Sequence, residues 1–233
     1  MTKQTIAESL KQIHMRIAKA TLNAKRSADS ICLIAVSKKF SVQAICEAYQ
    51  AGCRDFGENY AQEFKDKVEQ LNSDAFIWHF IGPLQSNKTS VVAKYATWVH
   101  SVDRIKIAKR LSDQRPAKMP PLNICLQVNI SEETTKSGCH PLNLPSLAKA
   151  VSDLPNLKLR GLMGIPGQLA KKNQLVRQFE CLQNLHHQLC QAGFSLDTLS
   201  MGMSNDLEIA ILKGATHVRI GTAIFGKRPY ECK

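Results

Sequence analysis

The sequence lacks any uninterrupted apolar run of the roughly 18 residues that a membrane-spanning helix requires. Its first residues lead into a polar amphipathic stretch without the apolar core of a signal peptide. The eight cysteines include no CxxC pair and show none of the regular spacing of a disulfide framework, so we expect reduced thiols. Together these absences predict a protein of the cytoplasm.

A long run of lysine or arginine is also missing, although the formal net charge is +12. The basic residues are spread over nearly every predicted helix, and no aromatic-rich segment typical of RNA-binding domains accompanies them. Dispersed charge is the usual state of a solvated surface. A nucleic-acid-binding barrel is therefore the least favoured interpretation of this sequence.

No linker rich in proline, glycine or serine divides the chain, and the nearest candidate, 116–121, fits a loop between elements. The 233 residues, 44% of them hydrophobic and 21% charged, have the size and composition of one large globular domain. We therefore expect a single domain over residues 1–233.

Short apolar runs alternate with amphipathic stretches along the chain. An amphipathic helix over about 4–27 precedes the first apolar run, which has the composition of a parallel strand covered on both faces. Eight strands are predicted, over 31–36, 54–58, 76–82, 98–102, 123–130, 157–164, 199–203 and 217–225. Helices are predicted around 41–50, 59–71, 88–94, 104–115, 144–153, 171–192 and 205–213. This alternation favours an α/β fold, a single (β/α)8 TIM barrel with an extra amino-terminal helix.

In such a barrel the functional groups lie at the carboxyl ends of the strands, and phosphate commonly binds after strands seven and eight. Ser204 or Asn205 would begin a helix whose free amides attract an anion, and Gly221 and Thr222 lie on strand eight. Taken singly, these residues are explained as well by turns and a helix cap.

The first strand delivers Lys38 at its carboxyl end, and strand eight carries Arg219. A neighbouring cation and partial burial favour the neutral amine of a lysine, which is the form that condenses with an aldehyde. Beside a phosphate-shaped pocket, this pair indicates a Schiff base with a phosphorylated aldehyde.

Seven blocks of sequence, in order, resemble the pyridoxal phosphate homeostasis (YggS-like) protein family over about residues 4–229. They are IAVSK at 34–38, FGENY at 56–60, WHFIGPLQSNK at 78–88, KSG at 136–138, GLM at 161–163, SMGMS at 200–204 and VRIGTAIFG at 218–226. The one local departure is Lys39-Phe40, where relatives often continue differently after the lysine, and we expect only a loop difference there.

The resemblance implies a barrel like the amino-terminal domain of alanine racemase, with pyridoxal 5'-phosphate (PLP) held as a Schiff base on Lys38. Strand parity agrees, because Lys38 shares a face with Val36 while Lys39 faces the other way. The resemblance also implies that Arg219 faces the pyridine nitrogen. The other implied cofactor-binding residues are Asn59, His79, Met163, Ser200, Met201, Ser204, Gly221 and Thr222.

The implied function is PLP homeostasis without catalysis, affecting amino-acid metabolism indirectly. A cation at the ring nitrogen makes the ring a weaker electron sink. We also expect the chain, which is read to Lys233, to lack the second domain that supplies a tyrosine base in alanine racemase. The alternative is a racemase-like PLP enzyme. Expected partners are PLP and PLP-dependent apoenzymes, and the expected state is a monomer.

Two further signals stay open on the residues alone. Lys136, in the loop after strand five, is a candidate second amine for cofactor exchange or an ordinary exposed lysine. His79 is a candidate ring contact or a hydrogen-bonded core residue. No metal site is expected, since His186, His187 and Cys190 lack further ligands nearby in sequence.

Overall fold

Eight parallel strands close into a barrel in chain order, and the last strand pairs with the first. The chain is seen in a computed structural model that describes residues 4–131, 133, 136–167 and 170–227. The strands are β1 Cys32–Val36, β2 Asp55–Glu58, β3 Ile77–Phe80, β4 Trp98–Val102, β5 Leu122–Val128, β6 Leu157–Gly164, β7 Thr198–Ser200 and β8 His217–Ile220. The predicted α/β barrel is confirmed.

Helices follow the strands and cover the outside of the barrel. They are α1 Ile6–Asn23, α2 Val42–Gln50, α3 Ala61–Leu71, α4 Thr89–Tyr95, α5 Ile105–Asp113, α6 Leu144–Ser152, α7 Lys172–Gln191, α8 Leu207–Leu212 and α9 Thr222–Phe225. Each predicted helix therefore has a counterpart, with ends that differ by a few residues.

The extra amino-terminal helix α1 begins with a capping box in which Thr5 and Glu8 bond each other's backbone amides. Its apolar face buries Leu10, Ile13 and Ile17, and it packs against α8 and α9. Full burial of such a side chain stabilises the fold by about 1.5–3 kcal/mol. The helix therefore braces the side of the barrel that carries the loops after β7 and β8.

Side chains on alternate strand positions separate two environments. Outward residues such as Phe56 and Phe80 join the helices in one large apolar core. Among the described inward residues, Trp98, Cys125 and Met163 form a small apolar cluster. Several other inward residues of the described interior are polar, among them His79, His100, Ser200 and Arg219, in a fold whose centre is commonly filled by branched apolar residues.

Several predicted boundaries are wrong, and strand seven, expected over 199–203, ends at Ser200. Strand eight was expected over 217–225, but β8 ends at Ile220, and the amides of Ile224 and Phe225 donate to Gly221 O as α9 begins. The apolar run therefore encodes a strand followed by a helical turn. The helix expected from Ser204 or Asn205 begins at Leu207 instead, because 204–206 form a turn after β7.

Candidate functional site

A cavity of about 560 Å³ opens at the carboxyl ends of the strands. Six of the predicted site residues line it: Lys38, Asn59, Ser204, Arg219, Gly221 and Thr222. The charged residues of its described lining are Lys38, Arg219 and Asp206, so cations outnumber anions. A pocket of this size and charge suits a small anionic molecule.

Of the two lysines that follow β1, Lys38 lines the cavity and Lys39 does not. Val36 also lines the cavity, as expected for side chains two positions apart on one strand face. Lys39 is exposed, adopts a left-handed φ of 64°, and donates its backbone N–H to the carboxylate of Glu63. Because of this turn, the side chains of Lys38 and Lys39 point in different directions.

A buried ion pair anchors the backbone next to Lys38. Lys67 Nζ donates to the carbonyl oxygen of Ser37 at 2.8 Å, to Glu58 Oε1 at 2.6 Å and to Glu63 Oε1 at 2.7 Å. The Ser37 hydroxyl donates to the same Glu58 oxygen at 2.6 Å. Burial raises the pKa of Glu58 although the ammonium of Lys67 opposes that shift. The ion pair therefore fixes the end of β1 against α3.

The loops after β7 and β8 form one side of the cavity. They bring the hydroxyl groups of Ser204 and Thr222 to its lining. The turn after β7 is closed by Asp206, whose carboxylate accepts a hydrogen bond from the backbone N–H of Met203. At Gly221 a Cβ would lie 3.3 Å from the carbonyl oxygen of Val36, so glycine keeps β1 and β8 in close contact there. Backbone N–H groups with hydroxyl groups beside them commonly form phosphate sites.

Arg16 of α1 supports the turn that contains Ser204. Its Nη2 donates to the carbonyl oxygen of Ser204 at 2.9 Å. The same guanidinium contacts both carboxylate oxygens of Glu208, at 2.7 and 3.0 Å, and this bonding lowers the pKa of Glu208. The amino-terminal helix is thus connected directly to the wall of the cavity.

Arg219 brings a buried cation to the floor of the cavity. Its Nη1 donates to Ser200 Oγ at 2.8 Å and its Nη2 donates to the carbonyl oxygen of Gly164 at 3.0 Å. Burial lowers its pKa to about 10, which still leaves the guanidinium protonated at neutral pH. Two hydrogen bonds therefore hold this charge in one orientation.

Asn59 offers the cavity an unused hydrogen-bonding group. Its Oδ1 is buried and has no partner among the described residues. The backbone of Asn59 is held by close contact with Gly82, where a Cβ would lie 2.2 Å from the Asn59 carbonyl oxygen. A buried polar atom without a partner is costly, which points to a ligand that satisfies it.

The other four residues expected at the cofactor are fully buried and absent from the cavity lining: His79, Met163, Ser200 and Met201. His79 and Met163 face the barrel interior, but they lie too deep below the carboxyl ends of the strands to line the cavity. Ile81 and Ile165, two positions further along, line the cavity in their place. Met201 belongs to the large outer core.

Lys136 lies in a different cavity, of about 940 Å³, together with Arg177 and His140. Its Nζ is 3.9 Å from Glu133 Oε2. The structure therefore does not bring Lys136 to the lining of the Lys38 cavity.

Several residues of the site were missed in the sequence. The apolar wall includes Phe40, Ile81, Ile165 and Met203, and Phe40 stacks on Phe225 with ring centroids 5.0 Å apart. The positions of Ile81 and Ile165 could have identified these two residues, because they follow β3 and β6 and share the parity of the inward-facing side chains.

A group of possible metal ligands was also missed. Cys32, Asp55 and His79 bring one ligand atom each within 4.8 Å of one another near the amino ends of the strands. Asp55 Oδ1 lies 2.9 Å from His79 Nε2, so a hydrogen bond already joins two of these groups. The sequence separates them by more than 20 positions, and the closure of the barrel brings them together.

Among the described residues, no helix is both long enough and apolar enough to span a bilayer.

The family model of the alanine racemase N-terminal domain matches residues 14–229. The chain is 54% identical over 226 residues to the pyridoxal phosphate homeostasis protein of Pseudomonas aeruginosa, covering 97% of both proteins. It is 50% identical to the protein of that name from Escherichia coli, covering 98% of this chain and 99% of the relative.

A solved structure agrees. PipY from Synechococcus elongatus, with PLP bound, superposes with a TM-score of 0.81 at 35% identity, covering 95% of this chain and all of PipY. Fold, family model and full-length relatives point the same way. The chain belongs to the alanine racemase N-terminal domain family and, within it, to the pyridoxal phosphate homeostasis proteins.

Proposed function

We propose that this chain holds PLP as a Schiff base on Lys38 and serves in intracellular PLP homeostasis. The observation that carries the proposal is the meeting of the Lys38 amine and the Arg219 guanidinium in one cavity, beside the hydroxyl groups of Ser204 and Thr222. Full-length relatives are named for PLP homeostasis, and PipY was solved with PLP bound.

The residues present suit each part of PLP. Condensation would join Lys38 Nζ to the aldehyde carbon, and the aldehyde oxygen would leave as water. Ser204, Gly221 and Thr222 would hold the phosphate, where each charge-assisted hydrogen bond contributes about 1.5–3 kcal/mol. The amide of Asn59 would bond a polar ring substituent and so gain the partner that it lacks among the described residues.

Arg219 would face the ring nitrogen. PLP supplies an electron sink to amino-acid chemistry, and a permanent cation at its nitrogen weakens that sink because it disfavours nitrogen protonation. We therefore propose a role that holds and releases PLP without turning over amino acids. The recipients would be PLP-dependent apoenzymes, and the protein would act as a cytoplasmic monomer.

The deeper residues take a supporting part in this proposal. His79, Met163 and Ser200 are assigned to the layer under the cavity and Met201 to the outer core, since none of them lines the cavity. Lys136, in its separate cavity, is assigned at most to uptake or exchange of PLP.

The test is a titration of the purified protein with PLP, followed by absorbance. We expect the wild type and Lys39→Ala to develop the absorption band of a lysine-bound cofactor, and Lys38→Ala to lack it. Lys39 is the matched control because it is adjacent, basic and exposed. A band that persists in Lys38→Ala would refute the assignment.

Turnover is tested separately with the PLP-loaded protein and L-alanine. We expect no accumulation of D-alanine at rates near the usual 1–1,000 per second of enzymes. D-alanine formation at such a rate would overturn the non-catalytic role and favour the racemase alternative.

A further inference from the structure

A file of polar side chains runs through the barrel from the floor of the Lys38 cavity to the opposite end. Arg219 Nη1 lies 2.8 Å from Ser200 Oγ, and Ser200 Oγ lies 2.8 Å from His100 Nδ1. His100 Nε2 lies 2.9 Å from His79 Nδ1, and His79 Nε2 lies 2.9 Å from Asp55 Oδ1. Four consecutive hydrogen bonds therefore connect β8, β7, β4, β3 and β2.

The two ends of this file open on different cavities. Arg219 lines the Lys38 cavity, whereas Asp55 lines a cavity of about 510 Å³ at the amino ends of the strands. The Asp55 side chain keeps 23% of its surface exposed. Ser200, His100 and His79 between them are fully buried. The file therefore spans the interior, and its Asp55 end is partly exposed to solvent.

The chemistry of the end groups fixes the direction of every bond. A guanidinium only donates and an ionised carboxylate only accepts. His79 therefore donates from Nε2 to Asp55 and, with one proton per ring, accepts at Nδ1 from His100 Nε2. His100 Nδ1 then accepts the Ser200 proton, and Ser200 Oγ accepts from Arg219.

The opposite direction is unfavourable. It would set an unprotonated His79 Nε2 against the Asp55 carboxylate at 2.9 Å, with no hydrogen between two acceptors. A neutral ring meets both of its contacts, since one ring nitrogen donates and the other accepts. One proton per ring, on Nε2, satisfies the whole file.

We propose that Ser200, His100, His79 and Asp55 are positioning residues that hold Arg219 at the cofactor through this one-directional chain of hydrogen bonds. The proposal rests on the proposed function, since it makes the grip on PLP depend on groups that do not touch it. A change at Asp55, at the far end of the barrel, would then alter how PLP is held.

The first test does not involve PLP and therefore stands apart from the proposed function. We expect ¹⁵N spectra of the histidine-labelled protein without added ligand to show a protonated Nε2 and an unprotonated Nδ1 for both His79 and His100. Assignment uses His79→Gln and His100→Gln. A proton on Nδ1 of either ring, or a charged ring, at neutral pH would overturn the chain.

The second test compares substitutions in the PLP-loaded protein. Ser200→Ala should raise the PLP dissociation constant about tenfold, the effect of losing about 1.4 kcal/mol, and shift the cofactor absorption band. Ser101→Ala is the matched control, because Ser101 is a buried serine of β4 whose hydroxyl has no partner among the described residues. It should change neither property.

The far end supplies the sharper comparison. Asp55→Ala should weaken PLP binding roughly twofold or more and move the absorption band, the size of coupling that remote residues exert. Asp55→Asn should restore both, because its amide oxygen still accepts from His79. An Asp55→Ala protein that folds and binds PLP with unchanged affinity and spectrum would contradict the proposal. A wild type that binds no PLP while its histidine tautomers are as described would instead sink the proposed function.

Discussion

Replacing Lys67 by methionine removes the cation from a buried site while keeping a side chain of similar length. Lys67 is 5% exposed, and the Glu58 carboxylate that it contacts is fully buried. Without Lys67, the Ser37 hydroxyl is the hydrogen-bond donor left to that carboxylate among the described residues. Breaking a buried ion pair in this way costs about 3–5 kcal/mol. We expect the free energy of unfolding at pH 7 to fall by that amount.

The loss should depend on pH in a definite direction. The pKa of Glu58 is already raised by burial, and removing Lys67 raises it further. A carboxyl with a raised pKa in the fold is penalised at high pH, and the penalty disappears as pH falls through that pKa. The Lys67→Met variant should therefore lose less stability at pH 5 than at pH 7.

Urea unfolding at both pH values measures the effect. Lys65→Met is the matched control on the same helix, since Lys65 is 39% exposed and its Nζ lies 3.9 Å from Glu69. It should change stability by less than about 0.5 kcal/mol. Adding Glu58→Gln to Lys67→Met should recover part of the loss. A Lys67→Met loss below about 1 kcal/mol, or one equal at both pH values, would refute the reasoning.

Two further predictions concern the histidines and the amino-terminal helix. Burial lowers the pKa of His79 and His100, and it lowers that of His217 to about 4, so the unfolded chain binds more protons than the fold below pH 6.5. The free energy of unfolding should therefore fall as pH drops from 6.5 to 4, by about 3 kcal/mol from His217 alone. Thermal melts whose midpoints stay constant over this pH range would contradict the argument from burial. Arg16→Ala should raise the PLP dissociation constant roughly threefold to tenfold, because the turn at Ser204 loses a charge-assisted hydrogen bond. Arg16→Lys should recover only part of the lost affinity. Equal binding by Arg16→Ala and wild type would show that α1 does not support the cofactor.

The sequence was sufficient for the barrel because its strands are short apolar runs with abrupt polar ends. The same periodicity placed Lys38 on the inward face, which the cavity lining agrees with. Apolar character alone does not distinguish a strand from a buried helical turn. For that reason β8 was extended over residues that form α9.

The sequence alone could not predict the file of polar side chains inside the barrel. His79 and His100 are 21 positions apart, and Ser200 is 100 positions beyond His100. Closure of the barrel sets them at hydrogen-bonding distance, and the register between strands decides the depth of each side chain. Parity along one strand predicts inward or outward, whereas depth depends on how neighbouring strands are staggered. His79 was therefore expected at the cavity and lies below it.

The central claim is the covalent attachment of PLP to Lys38, and reduction of the PLP-loaded protein with borohydride followed by peptide mass spectrometry tests it most directly. The account predicts a single phosphopyridoxyl group on the peptide that contains Lys38, with Lys39 and Lys136 unmodified. Label on another lysine, or none on Lys38 after PLP loading, would contradict it.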